Sequence, residues 1–378
     1  MDFDLSEPQR LIQDLCRAFA AKELRPRAAA IDREDAFPHD LYRRLAALGL
    51  LGMTLPPEYG GAGADTLAWA VAQEELARGC PAMADAALLA KLMGDLILLN
   101  GSDAQRRRWL PALAGGEAIC VIAQTEPGAG SDVAGIRTTA RPTADGFILN
   151  GTKRFITLAT VCDLAVVVAT TDPGRGRDAI VMLLVDMGTP GARRGAKDPV
   201  MGLHGLETGG LCFEDCAVPR AALLGGETDG FRRAMRSLDT GRIGIGAQAV
   251  GLAQAALDEA LRYARERTAF GQPIAGFQAI QFMLADMSAQ VEAARLLVRK
   301  AAWLRDQGRP FIREAAEAKL VASETAVRVT SDALQIHGAY GYSTEFPLER
   351  LYRDARVYPI FEGTSQIQRL VIARSLLR

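Results

Sequence analysis

Residues that build metal sites and disulfides are scarce in this sequence. Its 378 residues include three histidines, His39, His204 and His337, and six cysteines, none of which has C-x-x-C spacing. Scattered cysteines of this kind are typical of reduced packing residues. We therefore expect no metal site, and any redox chemistry must come from a bound cofactor.

An excess of one charge and a long apolar run are also lacking. The 44 lysines and arginines against 45 aspartates and glutamates give a net charge of −1, which favours neither nucleic acid nor an anionic membrane. The longest apolar run, at 88–99, is interrupted by Lys91 and Asp95 and is too short to span a bilayer. Residues 1–10 show no signal or transit peptide, so we expect a cytoplasmic protein without a membrane partner.

Helical periodicity is present at both ends of the chain. Apolar residues recur three or four positions apart in the segments 5–22, 41–50, 66–78, 83–100, 103–114, 241–267, 277–307 and 311–337. A shorter helix is predicted after Gly363, and Gly338 after His337 is a natural helix stop. These patterns predict an N-terminal all-α domain over 1–118 and a C-terminal four-helix bundle over 229–378.

The middle of the chain has a different pattern. Short β-branched apolar runs at 147–149, 164–169 and 180–185, separated by Gly, Pro, Asp and Thr, indicate strands. Asp145-Gly146 indicates a tight turn. We predict a β-barrel or sandwich domain over 119–228, and an α+β protein of three domains overall.

The Gly-rich stretch QTEPGAGSD (124–132) is the first candidate site. Gly128 and Gly130 let the backbone approach a ligand, and Thr125 and Ser131 add hydroxyl groups. A phosphate or the pyrimidine edge of a flavin would fit such a loop. An ordinary Gly-rich β-turn explains the same residues.

The second candidate is YPIFEGTSQIQ (358–368), in which Glu362 is a lone carboxylate beside apolar residues. Apolar neighbours raise the pKa of a carboxyl group, which suits a general base. Thr364 or Ser365 then opens a helix and could simply be its N-cap. On spacing alone, Glu362 could equally be a first-turn acid or part of a surface turn.

Two further segments and one pair admit both a functional and a structural interpretation. In KRFIT (153–157) an aromatic residue and a threonine two positions apart share one face of a strand, and either meet a planar cofactor or face the core. The arginines in 265–278 either bind phosphate or only interact with the C-terminus of the preceding helix. Asp239 and Arg242 could form only a salt bridge. His204 and His337 are assigned structural roles, and neither is assigned to catalysis.

Taken jointly and in this order, these stretches resemble the acyl-CoA dehydrogenase family over nearly the whole chain. The C-terminal half is most similar to the short-chain, butyryl-type branch. The resemblance is carried by TEPGAGSD (125–132), LNGTKRFIT (149–157), FEDCAVP (213–219), LDTGRIGIGAQAVGLAQ (238–254), FQAIQFMLADM (277–287) and RDARVYPIFEGTSQIQRLVIAR (353–374).

The resemblance implies FAD-dependent α,β-dehydrogenation of an acyl thioester, most simply a short-chain acyl-CoA, with an electron-transferring flavoprotein as electron acceptor. Glu362 matches the family's base, which takes the α-proton while the β-hydrogen leaves as hydride to flavin N5. In some branches the base stands at the position of Gly241, where a glycine cannot act. The backbone N–H of the base residue and a ribityl hydroxyl of FAD stabilise the thioester carbonyl in this family.

The resemblance also assigns binding positions. Those for FAD are Ile122, Ala123, Gln124, Thr125, Gly130, Ser131, Phe155, Ile156, Thr157, Arg267, Phe270, Gln278, Gln335, Ile336, His337, Gly338, Ala339, Thr364, Ser365 and Gln366. Those for the substrate are Ser131, Asp239, Arg242, Gly363 and Arg374. Arg267, Phe270, Gln278 and the segment 335–339 would reach the FAD of a neighbouring subunit, which implies at least a dimer and, as is usual in the family, a tetramer.

Several positions depart from the family pattern. The departures are Leu158 for the usual Asn, His204 for Arg, Leu206 and Glu207 for Ser, and Ala339 for Gly. They leave open an alternative substrate, a carrier-protein-tethered or polar acyl group. Lys91 lies where the acyl pocket is usually apolar or amide-lined, and is interpreted as a solvated helix residue or as a contact to a polar acyl group. Two further alternatives on the same fold are a flavin oxidase or monooxygenase, and a non-catalytic helical scaffold or binding module.

Overall fold

The computed structural model describes residues 4–227 and 229–377, and in them a helical region, a sheet and a second helical region follow one another. This order confirms the predicted fold class. Position 228, where the middle domain is predicted to end, lies outside the described residues, as do positions 1–3 and 378. The domain boundaries themselves remain a prediction.

From residue 4 onward, the N-terminal region contains six α-helices: α1 Glu7–Phe19, α2 Ala28–Glu34, α3 His39–Ala47, α4 Thr66–Gly79, α5 Pro81–Asn100 and α6 Asp103–Ala114. Five of them match the predicted segments. Helix α2 was not predicted, because seven residues with the sequence AAAIDRE are too short to show a period. It ends at Asp35, whose left-handed backbone has a φ of 48°.

The middle region is one seven-stranded sheet in which β4 pairs with β5 and the other strands follow the order β1-β4-β2-β3-β7-β6. The strands are β1 Cys120–Ala123, β2 Thr139–Pro142, β3 Gly146–Ile156, β4 Leu164–Thr170, β5 Ile180–Asp186, β6 Ala192–Lys197 and β7 Gly209–Pro219. The predicted apolar runs lie in β3, β4 and β5. The polar edge strand β6, with the sequence ARRGAK, carries no apolar signal and was missed.

The C-terminal region consists of α7 Gly230–Glu266, a hairpin of β8 Thr268–Ala269 and β9 Gln272–Pro273, α8 Gln278–Asp306, α9 Ile312–His337, α10 Leu348–Ala355 and α11 Ser365–Leu376. Helices α7, α8, α9 and α11 pack together as the predicted bundle. Helix α7 begins at Gly230, where the helical pattern was predicted to resume, although the long helix itself was predicted only from 241. Helix α10 was not predicted.

Helix α7 also joins the two helical regions by packing on α4 and α5. A β-carbon on Gly244 would lie 2.4 Å from the Trp69 ring of α4 and 2.6 Å from Leu88 of α5. Only glycine therefore allows this close approach. The contact positions Gly241, one turn earlier on α7, against α5.

Lys91 on α5 is buried, with 1% of its surface exposed, so its interpretation as a solvated helix residue was wrong. Its ammonium forms an ion pair with Asp95 and lies 4.7 Å from the centre of the Trp69 ring. Arg305 of α8 approaches the same Asp95 at 3.5 Å. Lys91 thus belongs to a buried charge cluster between the two helical regions.

The cysteines and the helices give two simpler results. All six cysteines are free and five are buried, which confirms the packing role expected of them. Among the described residues, no helix combines the length and apolar character needed to cross a bilayer.

Candidate active site

Glu362 lies in a tight loop between α10 and α11. Its φ of 52° and the 88° of Gly363 place two consecutive residues in the left-handed region. Non-glycine residues rarely adopt this conformation, and they do so disproportionately at functional sites. Thr364 is the N-cap of α11 and accepts a hydrogen bond from the N–H of Ile367 at 3.2 Å. Glu362 therefore precedes the helix and is not an acid of its first turn.

The carboxyl group of Glu362 points into the interior. Its Oε2 is shielded from solvent and has no hydrogen-bond partner, which excludes the surface-turn interpretation. A β-carbon on Gly241 would lie 3.0 Å from this oxygen and 3.2 Å from Leu92 of α5. Burial raises the pKa of Glu362, and the nearby charges of Lys319 and Arg242 oppose that rise. The environment is that of a base kept from water.

Arg242 and Asp239 form the salt bridge that their spacing suggested. Arg242 Nη1 lies 2.6 Å from Asp239 Oδ1, and both side chains are largely buried. Arg242 Nε is shielded and has no hydrogen-bond partner. Burial raises the pKa of Asp239, while the charge of Arg242 opposes the rise. The pair is more than a surface contact, because it places a positive charge near Glu362.

Lys319 of α9 was missed by the sequence analysis. Its ammonium donates to the carbonyl oxygens of Tyr358, at 2.6 Å, and Gly363, at 2.8 Å. Gln368 Nε2 donates to the same Gly363 oxygen at 2.8 Å. Burial lowers the pKa of Lys319 to about 8, and the charge of Glu362 opposes this fall. It lies on the buried, alanine-lined face of α9, and its role becomes visible only once the neighbouring residues are placed.

Asp85 of α5 is a second buried carboxyl that was missed. Burial and the charge of Glu362 raise its pKa to about 7, against a hydrogen bond from Gln248 that lowers it. Gln248 also donates to Gln73 Oε1 at 2.9 Å and accepts from the Tyr358 hydroxyl at 3.2 Å. A polar network thus links α4, α5 and α7 to the loop of Glu362.

In the middle region the two candidate segments 122–131 and 153–157 lie side by side. The N–H of Arg154 donates to the Thr125 carbonyl at 3.0 Å. Buried Lys153 forms an ion pair with Glu126 at 2.7 Å. Glu126 in turn accepts from the backbone N–H groups of residues 137 and 138 at 2.7 and 2.9 Å. The ion pair fixes the Gly-rich loop against the end of β3.

The edge of the sheet formed by the Gly-rich loop and the end of β3 fits a flat cofactor with polar atoms around its rim. Gln124 Oε1 is shielded without a hydrogen-bond partner, and the ring of Phe155 is 56% exposed. The interpretation that Phe155 faces the core was wrong, and so was the regular strand alternation assumed for KRFIT. Phe155 has a φ of 55° at a register shift, and β3 ends at Ile156. Leu158, in place of the family's usual Asn, also has a positive φ of 61°. Thr157 therefore lies in the turn after β3.

The start of α11 borders a cavity of about 490 Å³. Thr364, Ser365 and Gln366 line it together with Arg356 and Arg369. Ser365 Oγ is buried without a hydrogen-bond partner. A helix N-terminus, two arginines and an unsatisfied hydroxyl fit a phosphate group.

The remaining predicted cofactor residues lie around the β8–β9 hairpin and the end of α9. Phe270 is 95% exposed, and the Arg267 guanidinium lies 5.7 Å from the ring of Tyr340. His337 is buried and stacks on Tyr263 at 4.1 Å, which is the structural role expected of it. The other residues of this set divide into exposed Gln278, Gln335, Gly338 and Ala339 and buried Ile336. Arg374 is exposed near the end of α11.

His204 also has the structural role predicted for it. Its ring nitrogens lie 3.1 Å from the Asp32 carbonyl and 3.0 Å from the Val200 carbonyl. Within the part of the chain that the structure describes, no group of three His, Cys, Asp or Glu side chains is arranged to hold a metal ion.

Comparison with known proteins agrees with this geometry. The N-terminal, middle and C-terminal domain models of acyl-CoA dehydrogenase match residues 6–117, 121–216 and 228–377. The human mitochondrial short-chain specific acyl-CoA dehydrogenase is 48% identical, over 99% of this chain and 91% of its own. Acryloyl-CoA reductase (NADH) of Anaerotignum propionicum is 44% identical, over 100% of this chain and 96% of its own.

Solved structures show the same fold. Butyryl-CoA dehydrogenase from Megasphaera elsdenii superposes with a TM-score of 0.97 at 41% identity, covering 100% of both chains. The chain belongs to the acyl-CoA dehydrogenase family. It is an enzyme of flavin-dependent acyl-CoA dehydrogenation, as the sequence motifs predict.

Proposed function

We propose that the enzyme converts a short-chain acyl-CoA to its α,β-unsaturated product with FAD, and that Glu362 removes the α-proton. The observation that carries this proposal is the shielded, unpartnered Glu362 Oε2 opposite the bare backbone of Gly241. A buried carboxylate with a raised pKa is well matched to an acidic carbon proton. The identity to a short-chain relative supports the substrate length.

The chain's own residues have three tasks in this reaction. Glu362 accepts the proton on a carboxylate oxygen, and its backbone N–H is offered to the thioester carbonyl, where negative charge develops. Ser131, Asp239, Arg242, Gly363 and Arg374 are the proposed contacts to the thioester and the coenzyme A chain. Bound FAD supplies the hydride acceptor.

Residues at the edge of the sheet and at the start of α11 suit the proposed FAD positions. Gln124 and the 122–131 segment would meet the polar edge of the flavin, and Phe155 and Thr157 its ring. The unsatisfied Ser365 hydroxyl and the cavity at the start of α11 support the phosphate side for residues 364–366.

We further propose a tetramer whose subunits share the cofactor, with an electron-transferring flavoprotein as acceptor. Phe270, almost fully exposed on a hairpin, supports an intersubunit contact at Arg267, Phe270 and Gln278. Single exposed aromatic rings on protruding hairpins are well suited to insertion into a neighbour. The cytoplasmic location stays a prediction.

A second candidate is the reverse reaction, reduction of an enoyl-CoA. It is favoured by the 44% identity to an acryloyl-CoA reductase that uses NADH. In that direction protonated Glu362 would deliver a proton to the α-carbon. Oxidation of NADH with acryloyl-CoA, dependent on a flavoprotein partner, would distinguish this function from dehydrogenation.

The test is anaerobic mixing of the FAD-loaded enzyme with butyryl-CoA while the visible flavin absorption is recorded. Wild type should bleach, and Glu362→Gln should keep its flavin but not bleach. Octanoyl-CoA and a butyryl group on a carrier protein serve as competing substrates. Bleaching by the carrier-bound group alone would replace the acyl-CoA proposal by the carrier-protein alternative, and equal bleaching of the variant would refute the role of Glu362.

A further inference from the structure

Lys319 lies directly behind the loop that carries Glu362. Its side chain is fully buried, and its ammonium donates to the carbonyl oxygens of Tyr358, at 2.6 Å, and Gly363, at 2.8 Å. These carbonyls lie on either side of Glu362 in the sequence. One side chain therefore holds both ends of the segment 358–363.

The segment needs such support because its conformation is unfavourable in isolation. Glu362 and Gly363 have φ values of 52° and 88°. A non-glycine residue stays in the left-handed region only where surrounding contacts determine its conformation. Gln368 adds a neutral contact, donating to the Gly363 carbonyl at 2.8 Å. Lys319 differs from Gln368 in bringing a positive charge.

The charge acts on Glu362 from a fixed position. The charged groups that interact with Lys319 are Glu362, Arg242 of α7 and Glu324 of its own helix. Asp85 on α5 is a carboxyl group of the same sign as Glu362, and the charge of Glu362 raises the pKa of Asp85. A buried carboxylate is ionised with difficulty, and a nearby cation favours the ionised form that acts as a base. Lys319 and Arg242 are the cations that do this here.

We propose that Lys319 is the positioning residue of the base. Its buried ammonium holds both ends of the 358–363 segment, which keeps Glu362 and Gly363 in the left-handed conformation, and it keeps the Glu362 carboxylate ionised beside the substrate α-carbon. The inference rests on the proposed role of Glu362 and extends it, since Lys319 acts through Glu362 and not on the substrate.

Three variants separate charge from support. Lys319→Met removes both the charge and the hydrogen bonds, Lys319→Gln removes the charge but keeps a donor, and Lys319→Arg keeps the charge. Gln368→Leu is the matched control, because it removes a neutral donor from the same Gly363 carbonyl. Each holoenzyme is first checked for flavin content and thermal unfolding.

The readout is exchange of the α-protons of acetyl-CoA with deuterated water, followed by NMR as a function of pH. Acetyl-CoA has no β-carbon and cannot reduce the flavin, so exchange reports proton abstraction alone. Neutral variants at position 319 should lose at least about tenfold in exchange at neutral pH, with the rise of rate moved to higher pH by about one unit. Lys319→Arg and Gln368→Leu should keep the wild-type pH profile.

The outcomes are separable. A folded, flavin-bound Lys319→Gln or Lys319→Met variant with the wild-type pH profile overturns the inference. Where Lys319→Met does not fold, Lys319→Gln decides. Equal exchange by wild type and Glu362→Gln would instead show that the proposed base is wrong, whatever the Lys319 variants do.

Discussion

Gly241 and Glu362 face each other across the candidate active site, and a β-carbon on Gly241 would lie 3.0 Å from Glu362 Oε2. Gly241 is on α7, whereas Glu362 is in the loop before α11. The backbone of α7 at Gly241 and the loop at Glu362 therefore approach the same point of the interior from two different elements. We therefore expect a carboxylate attached at either position to reach the same part of the site.

We predict that moving the carboxylate between these positions restores part of the activity. Glu362→Gly should reduce flavin reduction by butyryl-CoA at least about 100-fold, because general-base catalysis is lost. The double variant Gly241→Glu with Glu362→Gly should recover at least about tenfold of this loss. Rapid-mixing kinetics of flavin reduction measure both. A folded, flavin-bound double variant no faster than the single variant contradicts the geometry.

The buried Lys153–Glu126 ion pair should be essential to the Gly-rich loop. Lys153→Met leaves Glu126 buried without its cation and is expected to lower the free energy of unfolding by about 3–5 kcal/mol and to release flavin. Arg193→Met is the control, since its partner Glu214 is exposed on the same sheet and the pair contributes about 1 kcal/mol or less. Urea unfolding measures the change in the free energy of unfolding, and the flavin content of each purified variant measures the release of flavin. Equal effects of the two substitutions would argue against a supporting role for the buried pair.

Asp85 should make stability depend on pH. Its pKa is raised from 3.8 to about 7, so between these values the folded protein binds a proton that the unfolded chain has lost. The contribution of Asp85 to stability therefore falls as pH rises through this window and levels off above it. Asp85→Asn should remove this dependence and stabilise the protein at about pH 8 relative to wild type. Urea unfolding at several pH values tests this, and parallel stability curves for both proteins would refute it.

Most of the fold was predictable from the sequence because its signals are local. The periods of α4, α5, α8 and α9, and the apolar runs of β4 and β5, directly reflect burial on one or both faces. Helix α2 and strand β6 were missed because one is short and the other polar. The start of α7 was misplaced because its first turns, GFRRAMRS, have little apolar character.

The candidate site was predictable only where a motif carries it. Glu362, the Gly-rich loop and the KRFIT segment were singled out from their residues with structural alternatives left open, and the resemblance then assigned functional roles to them. Lys319 and Asp85 lie far from Glu362 in the sequence and are brought near it only by helix packing. A buried lysine in an alanine-rich helix looks like any other helix residue until its neighbours are known.

Phe270 is predicted to hold subunits together. An aromatic ring that is 95% exposed at the tip of a hairpin is unfavourable in water. Phe270→Glu should convert the proposed tetramer to smaller species and weaken FAD retention, because Arg267, Phe270 and Gln278 are the proposed contacts to the FAD of a neighbouring subunit. Light scattering during size-exclusion chromatography provides the mass. Asp286→Asn, which removes an exposed charge on α8 outside the β8–β9 hairpin, is the control. An unchanged mass for Phe270→Glu contradicts the prediction.

The central claim is that Glu362 is the base, and its most direct test is α-proton exchange of acetyl-CoA in deuterated water by the FAD-loaded enzyme. Wild type should exchange the protons with a rate that rises with pH as Glu362 ionises, because only the carboxylate can accept a proton. Glu362→Gln should exchange at least about 100-fold more slowly while binding the same amount of flavin. Exchange at the wild-type rate in that variant would contradict the account.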